Sequence, residues 1–458
     1  MPPDALRRLL RGKTAGVLGL GRSGTAAAAC LKKAGSLPFL SESSPRRAAR
    51  PRLPRALRGL PAEFGGHTRK LLRCDLLVVS PGVDWELPIL REARARKIPV
   101  WSELELGWRL IPMPETAAVT GTNGKTTTVS LLGDILRRAG RGPMVGGNTG
   151  RPLCDFFGRN SRNRSAVLEA SSYQLEGIRF FHPSVSAILN VTPDHLHRHG
   201  SMRDYAASKS RIFMNQGAKD VCVLNADDPW CRRISKTCGA RPVWFSSGRG
   251  LAAGAVIRRS KRKIAVRLDR ADPWTLYPFP ERLPGLHNAE NACAAILCAL
   301  ALGVGKGPIL ESLERFRGVE HRMESLGRVR GVSFVNDSKA TNVDSTVRAL
   351  ESVGKGVWLI LGGQDKGAPY APLAALVRGK VKGILLIGEA AGRIRSELGK
   401  AAPAVSAGTL QAAVKEAFRK AGPGDTVLLS PACASFDQFR DFEERGRRFK
   451  DLVRRLRP

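Results

Sequence analysis

The chain has 458 residues, 75 of them Lys or Arg against 40 Asp or Glu, for a formal net charge of +35. With 43% hydrophobic and 25% charged residues and a mean hydropathy of −0.17, it has a globular rather than a disordered composition, and its length suits about three domains. Nine scattered cysteines show no CxxC pair and no Cys/His cluster at zinc spacing, which favours a reduced, cytoplasmic protein over a disulfide scaffold and leaves no structural metal site to be read from them. No uncharged apolar run approaches about 18 residues, so no membrane insertion is expected.

Short apolar, β-branched runs alternate with Ala/Leu-rich amphipathic stretches from end to end. That is the pattern of repeated βαβ units, hence an α/β fold with mainly parallel sheets. The Pro-rich link at Ile111–Pro114 and the Phe316-Arg-Gly318 segment divide the chain into expected domains of residues 1–111, 112–317 and 318–458.

The first strand is expected over Ala15–Leu20, running into Gly19-Leu-Gly21-Arg22-Ser23-Gly24 and an Ala-rich helix. Such a GxGxxG turn lets a diphosphate approach the backbone at a helix N-terminus, although glycines can serve packing alone. A second strand, Leu37–Leu40, ends at Ser41-Glu42, and a third, Asp75–Val79, runs into Ser80. Between Ser43 and Ala62 lie six arginines and no acid, with Pro45, Pro51, Pro54 and Pro61 preventing a continuous helix. A second basic run, Ile257–Leu268, alternates as a strand pair would. Neither run carries interleaved aromatics for base stacking, so both read as solvated basic surface and no nucleic-acid partner is expected.

The second segment carries the most specific motif. A strand ending at Val119 leads into Thr120-Gly121-Thr122-Asn123-Gly124-Lys125-Thr126-Thr127 and a helix over Thr127–Ala139. Successive backbone N–H groups in such a turn cradle phosphate oxygens, Lys125 neutralises the β/γ charge and the Thr126 hydroxyl suits Mg²⁺. It is not a strict Walker A, because Val119 holds the place of the first glycine. Strands at Ala166–Leu168 and Ser186–Leu189 end in Glu169 and in Asn190-Val-Thr-Pro-Asp-His195-Leu-His-Arg-His199. Open α/β sheets build sites at strand C-termini, so Glu169 and His195 are expected to face the loop from neighbouring strands as metal or substrate ligands.

Thr120–Thr127, Asn190–His199 and His287-Asn288-Ala-Glu-Asn291 resemble the Mur ligases, ATP-dependent enzymes that add amino acids to the peptidoglycan precursor. Folylpolyglutamate synthase shares these marks. Leu168–Glu176, Asn336-Asp337-Ser-Lys339-Ala-Thr341-Asn342 and Ser430–Phe439 are similar to the members of the family that add D-glutamate. Another amino-acid ligase of the family, or folylpolyglutamate synthase, stays open as the alternative.

The resemblance implies a Rossmann-like first domain, a central P-loop ATPase-like domain and a Rossmann-like third domain. It implies ATP and Mg²⁺, a monomer in the bacterial cytoplasm, and ligation of D-glutamate to UDP-N-acetylmuramoyl-L-alanine through an acyl phosphate. The metals would be served by Thr126, Glu169, His195 and a carbamylated Lys209, with Lys125, Lys209, His195 and Glu169 catalytic. ATP would meet Gly121–Thr127, Asn288, Asn291, Arg322, Asp337 and Lys339. The UDP-sugar would meet Gly21, Arg22, Ser23, Glu42, Ser80 and Asn148. D-Glutamate would meet His195, Thr341, Lys366, Ser435 and Phe442.

Overall fold

The computed structural model describes residues 3–50, 53–158, 165–280, 283 and 285–456. Three separate sheets follow one another along the chain, as the βαβ pattern predicts.

The first sheet holds β1 (Thr14–Leu18), β2 (Leu37–Glu42), β3 (Ala62–Phe64), β4 (Leu76–Val79) and β5 (Val100–Ser102), all parallel, in the order β3-β2-β1-β4-β5. All four residues of β4 are buried, as expected of a strand covered on both faces. The order reverses between β1 and β4, so the loops after these two strands flank the crevice where doubly wound sheets bind ligands.

The second sheet holds β6 (Glu115–Thr120), β7 (Met144–Gly147), β8 (Ser165–Glu169), β9 (Val185–Ile188), β10 (Val221–Asn225), β11 (Arg241–Ser246), β12 (Gly254–Arg258), β13 (Lys263–Arg267) and β14 (Thr275–Pro278). Its order is β14-β13-β12-β11-β10-β9-β6-β8-β7. The basic run at 257–268 is the strand pair its alternation predicts: β12 and β13 pair antiparallel, joined by a turn with Arg262 at φ 47°. The helix after β6 begins at Lys125 rather than Thr127, because Gly124 at φ 88° ends the loop early.

The third sheet holds β15 (Glu324–Val329), β16 (Val332–Asn336), β17 (Val357–Gly362), β18 (Val381–Ile387), β19 (Ala404–Gly408) and β20 (Thr426–Leu429), in the order β15-β16-β20-β17-β18-β19. Only β15 is antiparallel to its neighbour.

By contacts the chain forms two compact units. One comprises residues 1–191, 200–279 and 290–316, and contains the first two sheets; the other comprises residues 192–199, 280–289 and 317–458, and contains the third sheet. Within the first unit, buried carboxylates fasten one sheet's segment to the other's. The helix Glu103–Leu110 is capped by the Ser102 hydroxyl. From it the Glu105 carboxylate accepts the N–H groups of Arg179 (3.0 Å), Phe180 (2.9 Å) and Phe181 (3.0 Å). Glu103 accepts the Cys154 N–H at 2.6 Å, and burial pushes its carboxyl up to about 7. Cys154 itself packs into the core of the first sheet beside Cys30, Leu106 and Leu110.

Candidate active site

The loop after β6 is tied to the segment that follows β9. The Thr122 N–H donates to the Asn190 carbonyl (2.9 Å) and the Asn123 N–H to the Asn190 side-chain oxygen (2.8 Å), while the Asn190 amide returns a bond to the Asn123 carbonyl at 3.2 Å. Asn190 follows β9, adjacent to β6, so the parallel pairing delivers this clamp. A Cβ on Gly124 would run into the Asn291 amide, and its φ of 88° is left-handed; only glycine makes this turn without strain. The helix Lys125–Arg138 then directs its N-terminus at the loop, a geometry suited to phosphate.

Lys125 folds back, its ammonium donating to the carbonyls of Gly121 and Thr122, each at 2.8 Å. The Thr126 hydroxyl donates to Glu169 Oε2 at 2.7 Å. The other Glu169 oxygen accepts from the Asn148 amide (3.0 Å) and the Thr149 hydroxyl (2.7 Å), and the residue is 2% exposed. Lys209 is 1% exposed; its ammonium donates to the Gly121 carbonyl at 2.8 Å and lies 4.3 Å from the Tyr205 ring centroid. Tyr205 and Lys209 stand four apart on the helix Met202–Ser210 and so share a face. Sequence reasoning passed over Tyr205, though this spacing was available to find it.

Mg²⁺ suits this donor set. Thr126 and Glu169 supply two hard oxygens, and the Thr127 hydroxyl is buried without a hydrogen-bond partner among the described residues. Those residues contain no group of three or more His, Cys, Asp or Glu able to hold a metal. Mg²⁺ is commonly bound through one or two protein oxygens, with phosphate and water completing its shell.

The crevice of the first sheet is built from the glycine turn and two side chains. Gly19 has φ 79°, and a Cβ on Gly24 would strike the Gly19 carbonyl, whereas one on Gly21 would meet nothing within 4 Å. Packing thus requires Gly19 and Gly24, and open space faces Gly21. The Ser80 hydroxyl donates to the Gly19 carbonyl at 2.7 Å. Glu42 accepts the Leu20 N–H at 2.7 Å and the Ser44 N–H at 3.0 Å. Burial alone would raise its carboxyl, but these backbone donors outweigh that and hold it below the ordinary range. Arg22 is exposed and Ser23 half-buried beside them.

In the second unit, a cavity of about 290 Å³ is lined by Asp194, His195, Thr341, Asp365, Lys366 and Tyr370 among others. His195 sits in the left-handed region at φ 55°. Asp194 accepts the His195 N–H at 2.9 Å and the Asn342 amide at 3.0 Å, with the Lys366 ammonium 4.0 Å away. A carboxylate and an ammonium lining one small cavity suit a charged amino acid. Three expected residues thus come together, His195, Thr341 and Lys366. Ser435 and Phe442 do not line the cavity. Ser435 is buried where its carbonyl accepts the N–H groups of Gln438 and Phe439, and the Phe442 ring packs against His321 and beneath the Lys339 ammonium.

A smaller cavity of the same unit joins His287, Arg322, Asp337 and Arg348. Burial pushes the Asp337 carboxyl up to about 6 despite Arg322 and a 2.9 Å bond from the Ser430 hydroxyl. Burial, then Arg322 and Arg348, push the His287 imidazole down to about 3. On the helix Leu286–Ala301, Asn288 and Asn291 are both buried.

Three family descriptions match the chain in order: an N-terminal domain described as Mur ligase MurD-like at residues 13–102, the Mur ligase middle domain at 119–299, and the Mur ligase glutamate ligase domain at 321–433. The UDP-N-acetylmuramoylalanine–D-glutamate ligase of Koribacter versatilis is 45% identical over 98% of this chain and 98% of its own length. The chain belongs to the Mur ligase family. The enzyme of the same name from Acidobacterium capsulatum is 44% identical over 97% of this chain and 96% of its own. Among solved Mur ligase structures, the UDP-N-acetylmuramate–alanine ligase of Thermotoga maritima matches with a TM-score of 0.62 at 22% identity, covering 97% of this chain and 99% of that one. A pseudomurein peptide ligase from Methanothermus fervidus matches at 0.59 and 19%, covering 97% and 100%. These two share the Mur ligase fold.

Proposed function

We propose that this Mur ligase joins D-glutamate to UDP-N-acetylmuramoyl-L-alanine with cleavage of ATP to ADP and phosphate, in the bacterial cytoplasm and as a monomer of three domains, 1–111, 112–317 and 318–458. The observation that carries the reading is the 45% identity, over 98% of both chains, to an enzyme named for that reaction. The 120–127 loop geometry and the cavity holding Lys366 support it.

The L-alanine carboxylate is a poor electrophile and must be activated. Its oxygen bonds to the γ-phosphorus of ATP as the bond to the β-phosphate oxygen breaks, giving ADP and an acyl phosphate. The D-glutamate nitrogen then bonds to the carbonyl carbon and loses a proton, and inorganic phosphate leaves. In this reading the turn Gly121–Thr127 cradles the phosphates, and Lys125 exchanges its two loop carbonyls for phosphate oxygens. Thr126 and Glu169, with His195 as the family resemblance implies, would hold Mg²⁺, which would neutralise phosphate charge.

Lys209 in its carbamylated form would offer an anion where the free ammonium would repel the metal. Asn288 and Asn291 would lie against adenine; Arg322, Asp337 and Lys339 would meet the ribose and phosphates. Gly21, Arg22, Ser23, Glu42, Ser80 and Asn148 would hold the UDP-sugar. His195, Thr341 and Lys366 would hold D-glutamate; Ser435 and Phe442, expected with them, do not line this cavity.

The test is phosphate release from ATP with UDP-N-acetylmuramoyl-L-alanine and each of D-Glu, L-Glu, L-Lys and D-Asp. Stimulation by D-Glu alone is expected; equal rates with all four would overturn the assignment.

A further inference from the structure

Lys366 lies on the loop 363–369 after β17, which is hydrogen-bonded by Arg393, a residue outside the cavity lining. Arg393 stands on the helix Ala391–Leu398. Its Nη1 donates to Asp365 Oδ2 at 2.8 Å, and its Nη2 to the carbonyls of Ala368 (3.0 Å) and Gly367 (3.3 Å). One guanidinium therefore grips the chain on both sides of Lys366.

The guanidinium is itself oriented. Its Nε donates to Glu397 Oε1 at 3.0 Å, one turn along the helix, while Glu397 Oε2 accepts the Tyr370 N–H at 2.6 Å. Its Cζ lies 5.4 Å from the Tyr370 ring centroid. Asp365 meanwhile accepts the Gly367 N–H (3.0 Å) and the Tyr370 hydroxyl (3.2 Å). A planar fork with five donors can satisfy this arrangement; a single ammonium cannot reach all of its acceptors together.

We propose that Arg393 is a positioning residue for the amino-acid substrate: by clamping Asp365, Gly367 and Ala368 it fixes the direction of Lys366 into the cavity, and so sets affinity for the substrate's side-chain carboxylate. This rests on the reading of Lys366 as the partner of the D-glutamate carboxylate. An unclamped loop leaves the lysine its charge but scatters its position, and misplacement of about 1 Å is costly in a bidentate or ion-paired contact.

The experiment compares Arg393→Gln, Arg393→Lys and Lys366→Met in the full-length enzyme, measuring KM for D-glutamate, ATP and the UDP-sugar separately, with melting temperatures. Arg393→Gln raises the D-glutamate KM by about tenfold and Arg393→Lys by about threefold, while the other two KM values stay within about twofold. Arg393→Lys keeps the charge and the aliphatic stem, so it carries the test if the glutamine variant does not fold. A D-glutamate KM unchanged in both Arg393 variants but raised in Lys366→Met overturns the clamp and leaves the Lys366 reading standing. Equal loss in all three KM values overturns it as well, as a general structural effect. An unchanged D-glutamate KM in Lys366→Met removes the reading of Lys366, and the clamp with it.

Discussion

The loop at 120–127 and the cavity around Lys366 organise charge by opposite means. In the first, backbone direction does the work: a left-handed Gly124 and a two-way clamp to Asn190 fix the turn from which the helix N-terminus starts. In the second, a lysine on a short loop is aimed by a relay of side chains, Asp365, Arg393 and Glu397. A backbone cradle tolerates little change at its glycines and lysine, because its parts are contiguous. A side-chain relay spreads the same task over several positions, each worth less.

Variants can break or sharpen that contrast. The largest effect is expected from Lys125→Ala, which removes the loop's one cation and should lower kcat by about a thousandfold, on the order of 4 kcal/mol of barrier, in a steady-state phosphate-release assay. A drop below about tenfold would mean that the backbone alone carries the phosphate charge. Lys209→Ala comes next, with an expected loss of about a hundredfold in kcat, partly restored by added acetate or another short carboxylate. Full activity without rescue would remove the carbamate from the account.

For the side-chain cavity, Lys366→Met should raise the D-glutamate KM by about thirtyfold, roughly 2 kcal/mol, with kcat changed far less. If kcat falls as much as in Lys125→Ala, the two regions do not differ in the way described. The smallest effect concerns charge at large. Steering of polyanionic substrates by the basic surface should appear as a fall of about twofold in kcat/KM between roughly 50 and 200 mM salt.

The same contrast decides what was legible in the sequence. The 120–127 loop could be read because its chemistry needs particular residues next to one another between a strand and a helix, and the structure has them there. The strand pair in the basic run at 257–268 was readable for a similar local reason, its alternation. Helix starts were less so: nothing in Thr120–Thr127 says that the helix begins at Lys125, since that depends on the Gly124 dihedral. Of the cavity residues, His195 could be found from its place after a strand, whereas Thr341 and Lys366 were found only through the family motifs that contain them. Asp194 and its partner Asn342 are 148 residues apart, and Arg393 lies in an amphipathic helix that looks like any other surface helix. No local pattern marks such partners. Phe442 shows the converse, a motif neighbour whose ring the fold turns towards His321 and Lys339.

The basic charge narrows accordingly. Lys125, Lys209, Lys366 and Arg393 belong to the sites described, whereas Arg46, Arg47, Arg50 and Arg58 line an open concavity on the first unit, in a stretch with no acid between Ser43 and Ala62.

The carboxylates of the helix Glu103–Leu110 have a consequence for how the protein is made. Residues 1–111 leave the ribosome first, yet Glu105 has no backbone donors until 179–181 have been synthesised, and Cys154 is needed both for Glu103 and to complete the core of the first sheet. A nascent first sheet therefore carries two carboxyl groups and an apolar hole awaiting chain that is still inside the tunnel. The first sheet is translated before residues 154 and 179–181, so these buried contacts become available to it only when the middle of the chain arrives.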